Sequence, residues 1–172
     1  HLNDITKDHP ERVLDTLETW QNDASEGTLW LINHALRTLV KKGDSRALAL
    51  LGYGTSKVEL LDLETSPKAL LFGDSLSLSF KLKSTANKSQ NLMIDYVMHF
   101  VKANGKTAPK VFKLKKTALE ANETLMIEKS HSIRPINTRK YYSGQHRVEV
   151  QVNGEILGSV DFELIMPDHI VK

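Results

Sequence analysis

The stretch 30–44, with the sequence WLINHALRTLVKKGD, determines the interpretation of the first third of the chain. Its apolar residues recur with the spacing of a buried helical stripe, and they are Ile32, Ala35, Leu36, Leu39 and Val40. Gly43 suits the left-handed position that ends a helix, and Lys41 and Lys42 complement the negative end of the helix dipole. The sequence therefore predicts one helix that stops at Gly43.

A second face of the same helix carries Trp30, His34, Arg37 and Lys41 in a row, at the spacing i, i+4, i+7, i+11. An aromatic ring followed by three potential cations could bind an anionic polymer. Among these side chains, the planar, permanently charged guanidinium of Arg37 suits a phosphate group best. Two alternatives are also consistent with this row. Trp30 could pack against a neighbouring helix, and His34 could be an ordinary surface histidine.

The residues around this helix also have helical features. Pro10 suits the first turn of a preceding helix, and a short helix over 45–51 is predicted with Asp44 or Ser45 as its cap. Short antiparallel helices joined by tight turns are the unit of an α-solenoid, which needs several repeats to bury its faces. The three helices make about one and a half repeats, so further repeats are expected upstream of His1.

After Gly54 the hydrophobic period changes from helical to two. Leu76, Leu78 and Phe80 alternate with polar residues, and Asn153-Gly154 marks a type I′ hairpin. About seven strands are predicted, which suits an immunoglobulin-like sandwich. The expected fold class is thus α+β: a helical segment over 1–54 followed by an all-β sandwich over 55–172.

The composition excludes several classes of chemistry. The chain has no cysteine, which rules out disulfides, a Cys-ligated zinc site and a thiol nucleophile. His99 and Asp95 share a strand face but two residues do not make a metal site, and the carboxylate pairs among Glu11, Asp15 and Glu18 suit a solvated helix surface. No membrane-spanning segment is expected, and a cytoplasmic location, with which the absence of cysteine is compatible, is predicted.

Positive charge is concentrated in the middle of the chain. Residues 102–147 hold eleven Lys or Arg against three Glu, although the whole chain has a formal charge of only +2. This concentration indicates either a surface for a polyanion such as nucleic acid or a merely solubilising surface.

A loop predicted over 130–144 is the second candidate for binding a polyanion. The loop and the two residues after it, 145–146, contain both basic and aromatic side chains. These are Arg134, Arg139, Lys140, Tyr141, Tyr142 and His146. Arginine beside tyrosine suits a nucleic-acid groove. Alternatively, Tyr141 or Tyr142 is the structural tyrosine at a corner of the sandwich.

Three segments resemble the DNA alkylation repair family, the HEAT-like alkylpurine DNA glycosylases. The segments are 34–52, HALRTLVKKGDSRALALLG; 2–10, LNDITKDHP; and 132–146, SIRPINTRKYYSGQH. The last is similar to the C-terminal Ig-like domain of the AlkC-like branch. The resemblance covers essentially the whole chain but only the C-terminal part of such a protein, so the helices are expected to be its terminal HEAT-like repeats.

The resemblance implies a monofunctional glycosylase that removes cationic alkylated purines of the 3-methyladenine type from duplex DNA, without metal or cofactor. It places the principal catalytic carboxylate upstream, so no catalytic residue is expected here. Arg37 matches a basic residue facing the DNA backbone, and Lys41 and Lys42 match phosphate contacts. His34 stands where some relatives have an aromatic residue. The competing hypothesis is an Ig-like protein-interaction module with a helical cap and no catalytic role.

Overall fold

The computed structural model describes residues 1–22 and 25–167. Helices occupy its N-terminal part and strands the remainder. The helices of the described residues are Leu2–Asp8 (α1), Pro10–Gln21 (α2), Glu26–Ala35 (α3), Arg37–Lys41 (α4) and Ser45–Leu50 (α5). The strands are Val58–Ser66 (β1), Ala69–Leu71 (β2), Ser75–Ser84 (β3), Gln90–Val101 (β4), Thr107–Leu119 (β5), Thr124–Ser132 (β6), Gly144–Val152 (β7) and Glu155–Ile165 (β8).

The predicted helix boundaries are confirmed at three positions. Pro10 is the first residue of α2, and the Asp44 carboxylate caps α5 by accepting a hydrogen bond from the Ala47 amide at 2.9 Å. Gly43 has φ +76°, the left-handed conformation expected just after a helix. Local chemistry therefore fixes the ends of these helices.

The single helix predicted over 30–44 is interrupted at Leu36, which separates α3 from α4. The Thr38 amide donates a 3.0 Å hydrogen bond to the side-chain oxygen of Asn3. Helical hydrogen bonds continue on both sides, from Leu36 to Ile32 and from Val40 to Leu36. Asn3 thus links α1, a helix that was not predicted, to the start of α4.

The strands form two facing sheets, which confirms the predicted sandwich. One sheet has the order β1-β3-β6 and the other β2-β8-β7-β4-β5, which places β5 at an edge. Alternate side chains of both sheets meet in one core, among them Leu78, Phe80, Tyr96 and Phe162. The additional strand β2, only three residues long, pairs parallel to β8. A segment this short carries no periodic signal.

The helices meet the sandwich at the turn between β7 and β8. Asn153 and Gly154 have φ +49° and +82°, as a type I′ turn requires. The Asn153 side-chain amide donates to the Gly54 carbonyl at 2.7 Å, and its side-chain oxygen accepts from the Met93 amide at 2.7 Å. Backbone atoms of Gly43 lie against Gly154. This junction sets α4 beside the outer face of the five-stranded sheet.

Candidate nucleic-acid interface

The aromatic–basic row of the helix lines a cleft between the helices and strand β5. Trp30, His34, Arg37 and Lys41 form one wall, and Lys113 and Lys116 of β5 belong to the opposite side. The volume of the cleft is about 470 Å³. Its apolar floor is made by Val40, Leu51, Met93 and Val111. The predicted row is therefore assembled, and it faces a second set of lysines.

A second cleft continues the first toward the loop between β6 and β7. Its volume is about 630 Å³, and it shares Lys41 and Val111 with the first cleft. Arg139, Lys140 and Tyr142 of the loop line it. The two predicted basic regions, far apart in sequence, thus belong to one surface, which we call the basic groove and define by the residues lining these two clefts.

The basic groove carries charge of one sign. Nine Lys and Arg residues line it, and the described lining residues include no Asp or Glu. The cations are Arg37, Lys41, Lys42, Lys102, Lys110, Lys113, Lys116, Arg139 and Lys140. A concave surface lined by one sign of charge concentrates the potential and attracts polyanions.

The rings of Trp30 and His34 stack on each other one helical turn apart. Their centroids are 4.9 Å apart and their planes differ by 11°. Trp30 is nevertheless 62% exposed, which decides against packing on a neighbouring helix within the described chain. One flat face of an indole is thus presented at the end of the basic groove.

Aromatic rings hold the loop cations in place. The guanidinium carbon of Arg139 lies 3.9 Å from the centroid of Phe100, and Lys140 Nζ lies 5.7 Å from the centroid of Tyr142. Cation–π contacts of this kind restrict a side chain without neutralising its charge. Both cations consequently remain available to an anion in the groove.

Two of the predicted contact residues are buried, and for them the prediction of DNA contact is wrong. Tyr141 is 8% exposed and packs edge-on against Phe72 and Phe100, so it is the structural member of the tyrosine pair. His146 is 1% exposed. Its Nε2 accepts a long hydrogen bond from the Val101 amide and its Nδ1 bonds the Gly144 carbonyl. Burial lowers the pKa of His146, which keeps the ring neutral.

Arg134 is exposed on the loop but is absent from the lining of the groove. Conversely, four lysines that line the groove were not predicted as contact residues, namely Lys102, Lys110, Lys113 and Lys116. The density of positive charge over 102–147 included them, but an exposed edge strand rich in lysine has the same pattern. The position of α4 across the cleft from β5 is what distinguishes a binding groove from a merely solubilising edge strand.

A buried carboxylate lies next to the groove. Asp95 of β4 is 3% exposed, and Lys113 Nζ lies 3.9 Å from its Oδ1. Gln151 hydrogen-bonds the same carboxylate. Burial raises the pKa of Asp95, while the charges of Lys113 and Lys116 oppose that rise.

The carboxylates of α2 have a structural partner. Arg46 of α5 contacts Glu11, Asp15 and Glu18 at 2.5, 2.8 and 2.8 Å. They form an interhelical ion cluster and not an acid–base pair. Within residues 1–22 and 25–167, no group of three His, Cys, Asp or Glu side chains is placed to hold a metal ion. The described helices include none long and apolar enough to cross a membrane.

Comparison with known proteins places this sandwich in a family. Residues 59–166 match the family described as "Uncharacterised protein YhaZ, C-terminal Ig-like domain". The chain belongs to this family. YhaZ of Bacillus subtilis strain 168 is 41% identical over 165 residues, which make up 95% of this chain and 45% of YhaZ.

The resemblance to the AlkC-like branch of the DNA alkylation repair family is also confirmed. The alkylpurine DNA glycosylase AlkC of Pseudomonas fluorescens, solved bound to DNA containing an abasic site analogue, superposes with a TM-score of 0.90 and 47% identity. The match covers 96% of this chain and 46% of AlkC. The YhaZ-family chain thus spans less than half the length of both relatives.

A β-glucosidase of Listeria innocua shares the fold alone. Its TM-score is 0.51 at 24% identity, over 66% of this chain and 17% of the glucosidase. The sandwich is therefore a scaffold that occurs in proteins of different activity.

Proposed function

We propose that this chain is the C-terminal, DNA-holding part of an AlkC-like DNA glycosylase that excises alkylated purines of the 3-methyladenine type in base excision repair. The groove binds the sugar–phosphate backbone of duplex DNA, and the bond-breaking carboxylate belongs to a preceding part of the enzyme. No metal or cofactor takes part. The proposal rests on the similarity to AlkC and on the chemistry of the groove.

The observation that carries the proposal is the meeting of two basic regions in one groove. Arg37 and Lys41 of α4 lie across from Lys113 and Lys116 of β5, and Arg139 extends the row. Phosphates repeat along DNA, and a row of Lys and Arg contacts them without reading sequence. Such a surface suits an enzyme that must bind damage in any sequence context.

The organisation of the chain is part of the same proposal. Residues 1–54 are the terminal HEAT-like repeats and residues 55–172 the Ig-like domain, with the groove between them. Arg37, Lys41 and Lys42 contact phosphates from the helical side, whereas Arg139 and Lys140 do so from the loop. Trp30 and His34 lie at the end of the groove, where the indole packs against a sugar or an exposed base. The protein acts in the cytoplasm.

Fluorescence anisotropy with a labelled duplex tests the proposal. Arg37→Ala and Arg139→Ala should each weaken binding by roughly three- to tenfold at low salt. Arg12→Ala is the matched control, because Arg12 is exposed on α2 and does not line the groove. Equal affinity and equal salt dependence in the wild type and all three variants would contradict the proposal. The chain alone should release no methylated base.

A second candidate, a protein-interaction module, is favoured by one observation at the helical end. Trp20 and Leu31 are exposed and line a separate cleft of about 440 Å³ between α2 and α3. The coding sequence upstream of His1 distinguishes the two. Further helical repeats bearing a carboxylate and aromatic residues support the glycosylase, and an unrelated upstream domain supports the interaction module.

A further inference from the structure

Asp95 has an incomplete set of partners for a buried carboxylate. Its Oδ1 atom is buried and has no hydrogen-bond partner among the described residues. Lys113 Nζ, at 3.9 Å from that atom, is beyond normal hydrogen-bond distance. Removing a carboxylate from water without full pairing is costly, so the charge of Asp95 depends strongly on where the Lys113 ammonium lies.

Lys113 lies between the basic groove and the buried Asp95 carboxylate. Its side chain is 58% exposed and lines the basic groove, whereas the carboxylate beside it is buried. A phosphate that enters the groove competes with Asp95 for the same ammonium group. The phosphate is also a second negative charge near a carboxylate, which makes ionisation of that carboxylate less favourable.

We propose that Asp95 sets the anion affinity of the basic groove by proton linkage: when a phosphate engages Lys113, Asp95 takes up one proton from solvent. Asp95 is thus a positioning residue, which acts through Lys113 and does not touch the DNA. This inference rests on the proposed function. It adds that the groove binds duplex DNA more tightly as the pH falls.

The charged groups around Asp95 determine how the linkage is measured. They come from every element packed against this part of β4, and they are Lys113, Lys115 and Lys116 of β5, His99 of β4, Glu149 of β7, and His34, Arg37 and Lys41 across the cleft. His34 also lines the groove, so the comparison is made in a background that lacks its imidazole. Glu149 pairs with His99 and does not line the groove.

The test compares DNA affinity as a function of pH in matched variants of the full 172-residue chain. In a His34→Gln background, Asp95→Asn should raise duplex affinity about fivefold at pH 7 and flatten the pH profile. Glu149→Gln should leave both unchanged. In Lys113→Gln the effect of Asp95→Asn should shrink, because the two changes act through one contact. An Asp95→Asn variant with the parental pH profile would overturn the inference.

A second measurement separates this inference from the proposed function. The ¹³C shift of the Asp95 carboxyl group, followed against pH, should show a higher pKa with inorganic tripolyphosphate or duplex DNA than without. A response to tripolyphosphate without DNA binding would contradict the proposed function and support the linkage. DNA binding with an unshifted Asp95 would contradict the linkage alone.

Discussion

The backbones of Gly43 and Gly154 touch where the helices meet the β7–β8 turn. A Cβ atom added to Gly154 would lie 2.8 Å from the carbonyl oxygen of Gly43 and 2.8 Å from a methyl carbon of Leu48. A Cβ atom added to Gly43 would lie 3.0 Å from the Gly154 carbonyl oxygen. No Cβ atom fits at Gly154 unless the backbone shifts, and one at Gly43 would require its neighbour to move by a few tenths of an ångström. The two glycines therefore set the close distance between α4 and the sandwich.

We therefore expect Gly154→Ala to destabilise the chain by roughly 2–3 kcal/mol, through the steric contact and the positive φ together. Gly105→Ala is the matched control, since Gly105 has φ +80° but open space around the added carbon. It should cost about 1 kcal/mol. Urea denaturation measures both. Equal losses in the two variants would show that the contact with Gly43 contributes nothing.

The lysines of β5 should contribute to the salt dependence of DNA binding. Replacing both Lys113 and Lys116 with Gln should lower the slope of log affinity against log salt by about 2, since each phosphate contact contributes about 0.9. Lys83→Gln/Lys88→Gln removes two exposed lysines outside the groove and should leave the slope unchanged. Equal salt-dependence slopes in the two double variants would mean that DNA does not bind along β5.

The adjacent tyrosines should separate stability from binding. Tyr141→Ala removes a buried ring and should cost roughly 3 kcal/mol of unfolding free energy. Tyr142→Ala removes a half-buried ring that lines the groove, so its larger effect should be on DNA affinity. Thermal unfolding and anisotropy on the same samples measure the two effects. A reversed pattern would mean that the roles of the two residues have been exchanged.

His131 makes the stability of the sandwich depend on pH. Its Nδ1 lies 2.6 Å from the Tyr96 hydroxyl, and burial lowers the pKa of His131 to about 4. The unfolded chain, with a pKa near 6.5, binds the proton more readily, so stability falls as the pH drops from about 6.5 to 4. The expected loss is about 2 kcal/mol, below the full value because the ring is partly solvated.

His131→Gln should remove this part of the pH dependence, and the difference between wild type and variant is the quantity to measure by urea denaturation at several pH values. The lowered pKa of His146 acts in the same direction and the raised pKa of Asp95 in the opposite one. Both are present in wild type and variant, so they cancel in the difference. Parallel stability curves would contradict the role assigned to His131.

Local patterns predicted the fold well, because caps and turns depend on neighbouring residues. Pro10, Asp44 and Asn153 all have the predicted roles. His146 was misassigned because it was grouped with the loop predicted over 130–144, whereas β7 begins at Gly144 and includes it. The earlier start gives His146 the same inward alternation as Val148.

The groove itself was only half predictable. The row from Trp30 to Lys41 follows from helical periodicity, but the partner wall on β5 depends on how α4 docks against the sheet. That docking is set by the contact of two glycines distant in sequence, and no local pattern encodes it. Asp95 was noticed only as one of two possible metal ligands, because the strand pattern does not show that its side chain is buried.

The position of β5 at the edge of the sheet has a consequence for protein engineering. Its unpaired backbone could recruit the same strand of another molecule, and lysine side chains discourage such pairing through charge repulsion. The residues proposed to hold DNA thus also protect the chain from self-association. Variants that replace several β5 lysines to weaken DNA binding should therefore be made with Gln or Glu, because apolar replacements would expose an edge strand that favours aggregation.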